Sequence, residues 1–137
     1  MLEMEDCVFC QISQGVLLAH KIWEDENFLA ILDINPNTPG HTLLLPKIHE
    51  PYVFALEPNL YSSLFELAKK LSESILKVSQ AKRIGMVIQG FTVRHVHLHL
   101  IPMNDVHDLD DARATLASKA ELSSITLEII DAIQNRF

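Results

Sequence analysis

His95-Val96-His97-Leu98-His99-Leu100-Ile101 alternates imidazoles with aliphatic side chains and then meets Pro102. Side chains on a strand alternate between faces with a period of two. The stretch therefore predicts a strand with three imidazoles on one face and Val96, Leu98 and Leu100 filling a core on the other. Just upstream, Gly85-Met86-Val87-Ile88-Gln89 reads as a second strand, which Gly90-Phe91 turns into a histidine strand over residues 92–101. Further back, Phe28-Leu29-Ala30-Ile31-Leu32-Asp33 is an apolar run that breaks into Asn35-Pro36-Asn37-Thr38-Pro39-Gly40. His41-Thr42-Leu43-Leu44-Leu45 then resumes until Pro46. Two apolar runs about a Pro/Gly-rich loop predict an antiparallel pair, with Asp33 and His41 flanking the same loop.

Helical periodicity appears in two places. Leu60, Leu64, Leu67, Leu71, Ile75 and Val78 recur at three- and four-residue steps behind the helix-opening cluster Glu57-Pro58-Asn59, predicting a long amphipathic helix to about Gln80. Ser118-Lys119-Ala120-Glu121 matches a capping box, and the apolar residues from Leu122 to Ile133 predict a final helix ending near Asn135-Arg136. Between them, residues 104–111 form an acidic loop without the Gly and terminal Glu spacing of a calcium-binding EF-hand, and residues 110–116 suggest a short helix. Strands and helices mixed without βαβ alternation predict an α+β fold, an antiparallel sheet with a long central helix and a C-terminal helix. One domain over residues 1–137 is expected, with its core at about 5–103 and a helical extension at about 104–137.

A row of imidazoles is a poor sheet covering, because each neutral ring carries one donor and one acceptor that need partners when buried. Two chemical readings follow. One imidazole acts as a nucleophile, or the row chelates a catalytic metal with an open position. A formal charge of −7 argues against a general binder of nucleic acid polymers, which needs a basic stripe. Small anionic ligands remain compatible with local histidines and backbone N–H groups. No apolar run approaches a membrane span and no signal pattern opens the chain, so a soluble, cytoplasmic protein is expected. The two cysteines form Cys7-Val8-Phe9-Cys10. In a reducing compartment such a pair reads as metal ligands or a redox motif, with His20, His41, His49, His95 and His107 as distant candidates to complete a zinc set.

At this point the residues match a family. His95-Val96-His97-Leu98-His99-Leu100-Ile101 resembles the signature of the histidine triad (HIT) proteins, which alternates three histidines with apolar residues and closes on two more apolar positions. Cys7-Val8-Phe9-Cys10-Gln11-Ile12, Asp33-Ile34-Asn35-Pro36, Pro39-Gly40-His41-Thr42-Leu43 and Pro46-Lys47-Ile48-His49 match in the same order. The resemblance implies that His97 attacks the α-phosphorus of a nucleotide, that His99 contacts the phosphate, and that His41 extends the polar network. It implies that Asp33 accepts hydrogen bonds from ribose hydroxyls, and that Ile22, Phe28, Leu32 and Ile34 are candidates for the base pocket. By similarity to zinc-containing members, Cys7, Cys10, His49 and His95 would hold a structural Zn2+ in a closed Cys2His2 set. A homodimer is implied by the family alone.

One departure concerns the turn before the triad, shortened here to Gln89-Gly90-Phe91-Thr92-Val93, with Phe91 where many members carry Gln. Gln89 and Thr92 are the candidates to replace the missing contacts to ribose and phosphate. The expected activity is that of a hydrolase of nucleoside phosphoramidates or dinucleoside polyphosphates, or a nucleotidyl transferase, taking a purine nucleotide through a covalent nucleotidyl-histidine. The alternatives are a nucleotide- or partner-binding module with little turnover, and a metallohydrolase using His95, His97 and His99 together.

Overall fold

A computed structural model of the chain describes residues 6–136, so the ends of the one-domain reading, residues 1–5 and 137, lie outside the described residues. Five antiparallel strands, β1 (Lys21–Glu24), β2 (Phe28–Leu32), β3 (Thr42–Pro46), β4 (Arg83–Val87) and β5 (Leu98–Met103), form one sheet. Their spatial order is β1-β2-β3-β5-β4. Among the described residues the sheet is accompanied by the α-helices α1 (Val8–Ser13), α2 (Pro58–Ser79) and α3 (Lys119–Gln134). This is the α+β architecture expected from the sequence. No helix among the described residues is long and apolar enough to cross a membrane.

Period-two alternation divides the two faces of the sheet. Phe28, Ala30 and Leu32 of β2, Leu44 of β3, and Leu98 and Leu100 of β5 pack against Leu64, Leu67, Leu71 and Ile75 of α2 and Leu122, Ile129 and Ile133 of α3. The opposite face carries Leu29, Ile31, Leu43 and Leu45 beneath Cys7, Phe9, Cys10 and Ile12 of the N-terminal segment. Both faces of β2 and β3 are thus covered, which is why these strands read as continuous apolar runs. Each fully buried leucine contributes about 1.5–3 kcal/mol, so the helix-side core anchors the sheet.

Local chemistry sets the ends of α2. The Glu57 carboxylate accepts hydrogen bonds from the N–H groups of Asn59 and Leu60, each at 3.1 Å, and Pro58 occupies the first turn where its missing N–H costs nothing. Gln80 closes the helix in the left-handed conformation, φ 56°, its N–H donating to the carbonyl of Leu76. At α3 the Ser118 hydroxyl accepts from the N–H of Glu121 at 3.1 Å, as the capping sequence predicts.

Three expectations are corrected. The histidine strand begins at Leu98, not at Thr92, and of the three histidines only His99 lies in the ladder, opposite Leu43 of β3 and Val87 of β4. Continuing the register would pair Val96 with Pro46, and proline has no N–H to give. Val96 instead donates to the carbonyl of Glu50 at 2.7 Å, and the chain peels away. Second, β1 is an additional strand; four residues broken by an irregularity between Lys21 and Trp23 carry too little pattern to read. Third, residues 110–116 hold only a 3-10 turn, Asp111–Arg113, after another at Val106–Leu109. The Asp108 carboxylate ties this segment together, accepting from the N–H groups of Asn104 (2.8 Å) and Asp105 (3.1 Å) and from Arg113 Nη1 (2.9 Å).

Gly40 sits at φ +95° immediately before His41, and a Cβ there would lie 3.3 Å from Pro102 Cγ. Both the backbone conformation and the space favour glycine. Gly40→Ala is expected to cost about 1–3 kcal/mol, read as a lower urea midpoint at unchanged slope.

Candidate active site and metal cluster

Backbone groups set the tautomers of the histidines. His95 Nε2 lies 2.7 Å from the carbonyl oxygen of Pro46 and therefore carries the proton, leaving Nδ1 as a lone pair. That Nδ1 faces Cys7 Sγ at 3.4 Å and Cys10 Sγ at 3.6 Å. His97 is arranged the opposite way round. Its Nδ1–H donates to the carbonyl of His95 at 2.7 Å, so the free lone pair is on Nε2. At His41, Nδ1 accepts from the N–H of Asn37 at 3.0 Å; the proton is then on Nε2, which donates to His99 Nδ1 at 2.9 Å. His99 in turn keeps its proton on Nε2. The pair thus offers a nucleophilic nitrogen on His97 and a donor N–H on His99, with ring centroids 5.0 Å apart.

A cleft of about 360 Å³ opens over these rings, lined among others by Asp33, His41, Gln89, Thr92, His97 and His99. Seven further lining residues are Phe9, Asn35, Asn37, Leu43, Val93, Asp111 and Ala114, none of which was singled out as a site residue from the sequence. Phe9 packs edge-on to His97 with centroids 4.8 Å apart. Asp33 Oδ1 accepts from the N–H of Asn35 at 2.9 Å, and its Oδ2 lies 3.6 Å from His41 Nε2. Gln89 Oε1 accepts from the N–H of Phe91 at 2.6 Å, which folds the shortened turn onto itself.

Ile22, Phe28 and Leu32 are displaced from the role expected of them. All three belong to the helix-side core, across the sheet from the histidines, because strand parity places Phe28 and Leu32 opposite to Ile31. Ile34 is exposed beside Asp33 and is absent from the cleft lining. The apolar wall of the cleft comes instead from Phe9, Leu43 and Val93.

Burial depresses the basicity of the rings. The His97 imidazole is lowered to about 4, first by burial and then by the neighbouring His99 and His95, against the His95 carbonyl bond that raises it. His41 is lowered to about 3, by burial and then by the charge of His99. Asp33 is raised, chiefly by burial. His41 remains neutral in the folded protein down to about pH 3, while the unfolded chain takes up a proton below about pH 6.5. Stability therefore falls as pH drops through that window, by about 1.4 kcal/mol per pH unit for one proton. His41→Asn is expected to remove one proton's worth of that slope, measured as urea midpoints between pH 7 and pH 4.

Cys7, Cys10, His49 and His95 converge with their ligand atoms within 4.8 Å of one another. Cys10 Sγ lies 3.3 Å from His49 Nδ1. Tetrahedral zinc, with bonds of about 2.3 Å to sulfur and about 2.0 Å to nitrogen, sets N···S edges of roughly 3.5 Å. The observed 3.3–3.6 Å separations are edges of that size. The His95 tautomer also fits, since its Nε2–H bond to Pro46 is the outer-shell contact that aims a ligating Nδ1. Without a cation, burial and then Cys7 push the Cys10 thiol up to about 11, whereas a bound cation favours the thiolate. The three-His chelate finds no geometry: among the described residues His95 clusters with the cysteines, while His99 clusters with Asp33 and His41. In that second cluster His41 and His99 are hydrogen-bonded to each other at 2.9 Å.

Fold and site define a class of protein that presents two histidines of opposed tautomer to a polar cleft, beside a Cys2His2 cluster. The sequence pattern of the HIT domain matches residues 14–106, and the chain belongs to the HIT family. It is 31% identical over 105 residues to the adenylylsulfatase HINT3 of Arabidopsis thaliana, covering 73% of this chain and 53% of that protein. It is 34% identical over 98 residues to the adenosine 5'-monophosphoramidase hnt1 of Schizosaccharomyces pombe, covering 70% and 73%. The crystal structure of a Zn-bound histidine triad family protein from Mycobacterium smegmatis superposes with a TM-score of 0.80 at 28% identity, covering 96% of each chain. Named members of the family thus include nucleotide hydrolases, and one similar structure holds zinc.

Proposed function

We propose that this protein hydrolyses or transfers a purine nucleotide at its α-phosphorus through a covalent nucleotidyl-histidine on His97. The observation that carries the reading is the Nδ1–H bond from His97 to the His95 carbonyl, which leaves Nε2 as a lone pair at a cleft with a donor from His99 beside it. In the first step Nε2 forms a bond to phosphorus, and the bond to the leaving group breaks with its electron pair departing on that group, which takes a proton from solvent. The substituted ring is cationic, and the His95 carbonyl faces its remaining N–H. His99 Nε2–H donates to a phosphoryl oxygen, with His41 holding its tautomer. Water then attacks phosphorus, loses a proton, and releases His97 as a neutral imidazole.

In this reading Asp33 takes the ribose hydroxyls, Gln89 and Thr92 border the phosphate, and Phe9, Leu43 and Val93 give the base an apolar wall. Cys7, Cys10, His49 and His95 hold a structural Zn2+, which supplies no step of the reaction and ties α1 to the catalytic segment. Neither cysteine is in a disulfide, in keeping with the cytoplasm. The described residues make one domain, and two copies make a homodimer. Dimerisation is supported by family membership and by β4, an edge strand beside exposed Met86, Phe54 and Tyr52; light scattering at micromolar protein tests it.

The decisive experiment is rapid quenching with adenosine phosphoramidate or a diadenosine polyphosphate, followed by intact mass and peptide mapping. The expected result is an adenylyl adduct on His97 that forms and decays at the rate of turnover. Turnover without an adduct, or an adduct on another residue, overturns the covalent step.

A further inference from the structure

The segment that follows β5 returns across the mouth of the cleft and is pinned there. Asn37 Nδ2 donates to the carbonyl of Asp108 at 3.1 Å, and the N–H of Ala117 donates to the carbonyl of Ile34 at 3.0 Å. A longer contact joins the N–H of Thr115 to the carbonyl of Pro36 at 3.4 Å. Between these ties Asp111 and Ala114 become part of the cleft lining. Asp111 therefore stands in one cavity with Asp33 and His99, and its charge acts on both. Among the described residues, no lysine or arginine lines that cavity. A site built for a phosphate ester thus carries two carboxylates beside His41 and His99, which burial keeps towards the neutral form.

We propose that Asp111 is a specificity-determining residue that sets the charge tolerance of the cleft, favouring a nucleotide with a single phosphate over a polyphosphate. The inference deepens the reading of an α-phosphorus enzyme and rests on it. Each further negative charge on a ligand meets the Asp111 carboxylate without a protein cation to offset it. The leaving groups that fit are neutral or cationic, such as the amine of a phosphoramidate. Asp111 is exposed, so its field is screened and the discrimination weakens as salt rises.

The test compares the affinities of AMP and of α,β-methylene-ATP, which carries about two more negative charges and resists cleavage at the reacting phosphorus. Calorimetric titrations of the full chain, Asp111→Asn, and the control Asp131→Asn on α3 are run at low and at high ionic strength. In Asp111→Asn the preference for AMP is expected to fall roughly three- to tenfold at low salt, and by less at high salt. Asp131→Asn should leave the preference where it was. An unchanged ratio in Asp111→Asn, or an equal change in both variants, overturns the role of Asp111. A parent that binds AMP and cleaves adenosine phosphoramidate while the ratio stays unmoved retains its function and loses only this inference. A parent that binds neither ligand overturns both.

Discussion

Replacing His97 by alanine is expected to reduce turnover of a nucleoside phosphoramidate or dinucleoside polyphosphate by on the order of 10⁴-fold or more, with folding retained. The size follows from the chemistry: without Nε2 the two-step displacement becomes a direct attack by water, which only the remaining hydrogen bonds of the cleft assist. His97 is almost completely buried, so alanine also leaves a void behind Phe9. His97→Asn separates the two effects. Its amide can still donate to the His95 carbonyl, yet it offers no nucleophile. Loss of turnover in both variants, with cooperative melting preserved in the asparagine form, matches the mechanism. Full activity in either excludes His97 as the covalent residue.

The second large effect concerns the cluster of Cys7, Cys10, His49 and His95. Purified protein is expected to contain one zinc per chain by elemental analysis, and Cys10→Ser or His49→Ala to lose it. Structural zinc in a folded site contributes many kcal/mol to the state that binds it. The helix-side core does not include the four ligands, so a partial loss of several kcal/mol, on the order of 10 °C in melting temperature, is the expected outcome. A chelator should reproduce that shift in the parent and leave the variants unmoved. Metal-free parent protein with the same melting temperature as the variants would show that the cluster is held by packing alone.

The two clusters are joined at His95. Its ring faces the cysteine sulfurs while its backbone carbonyl fixes the proton of His97. Phe9 lies between the two cysteines in sequence and packs edge-on against both rings, 5.8 Å from that of His95 and 4.8 Å from that of His97. Ligand positions and nucleophile orientation are therefore set by the same short segment.

How much was legible in advance depended on the range of the interaction. The long helix α2 could be read almost to the residue, because its stripe, its Glu57-Pro58 opening and its end are all written within single turns. Strands β2 and β3 and the loop between them were equally local. The start of β5 was not, since the ladder ends where the distant Pro46 has no N–H to donate. The base-pocket expectation for Phe28 and Leu32 departs from the structure for a related reason. Apolar strand residues look alike in sequence, and only the register and the placement of α1 show that Phe28 and Leu32 face the helices.

Sequence alone settled the residue types, their spacing and the family, because the alternation of histidines, the cysteine pair and the Pro/Gly-rich loop are covalent facts of neighbouring positions. Tertiary structure decided which atom of each ring is free. That choice depends on the carbonyl of Pro46 for His95, the carbonyl of His95 for His97, and the N–H of Asn37 acting through His41 for His99. Three of a kind in the chain become a ligand, a nucleophile and a donor because a neutral imidazole has one proton, and the folded backbone determines which nitrogen keeps it.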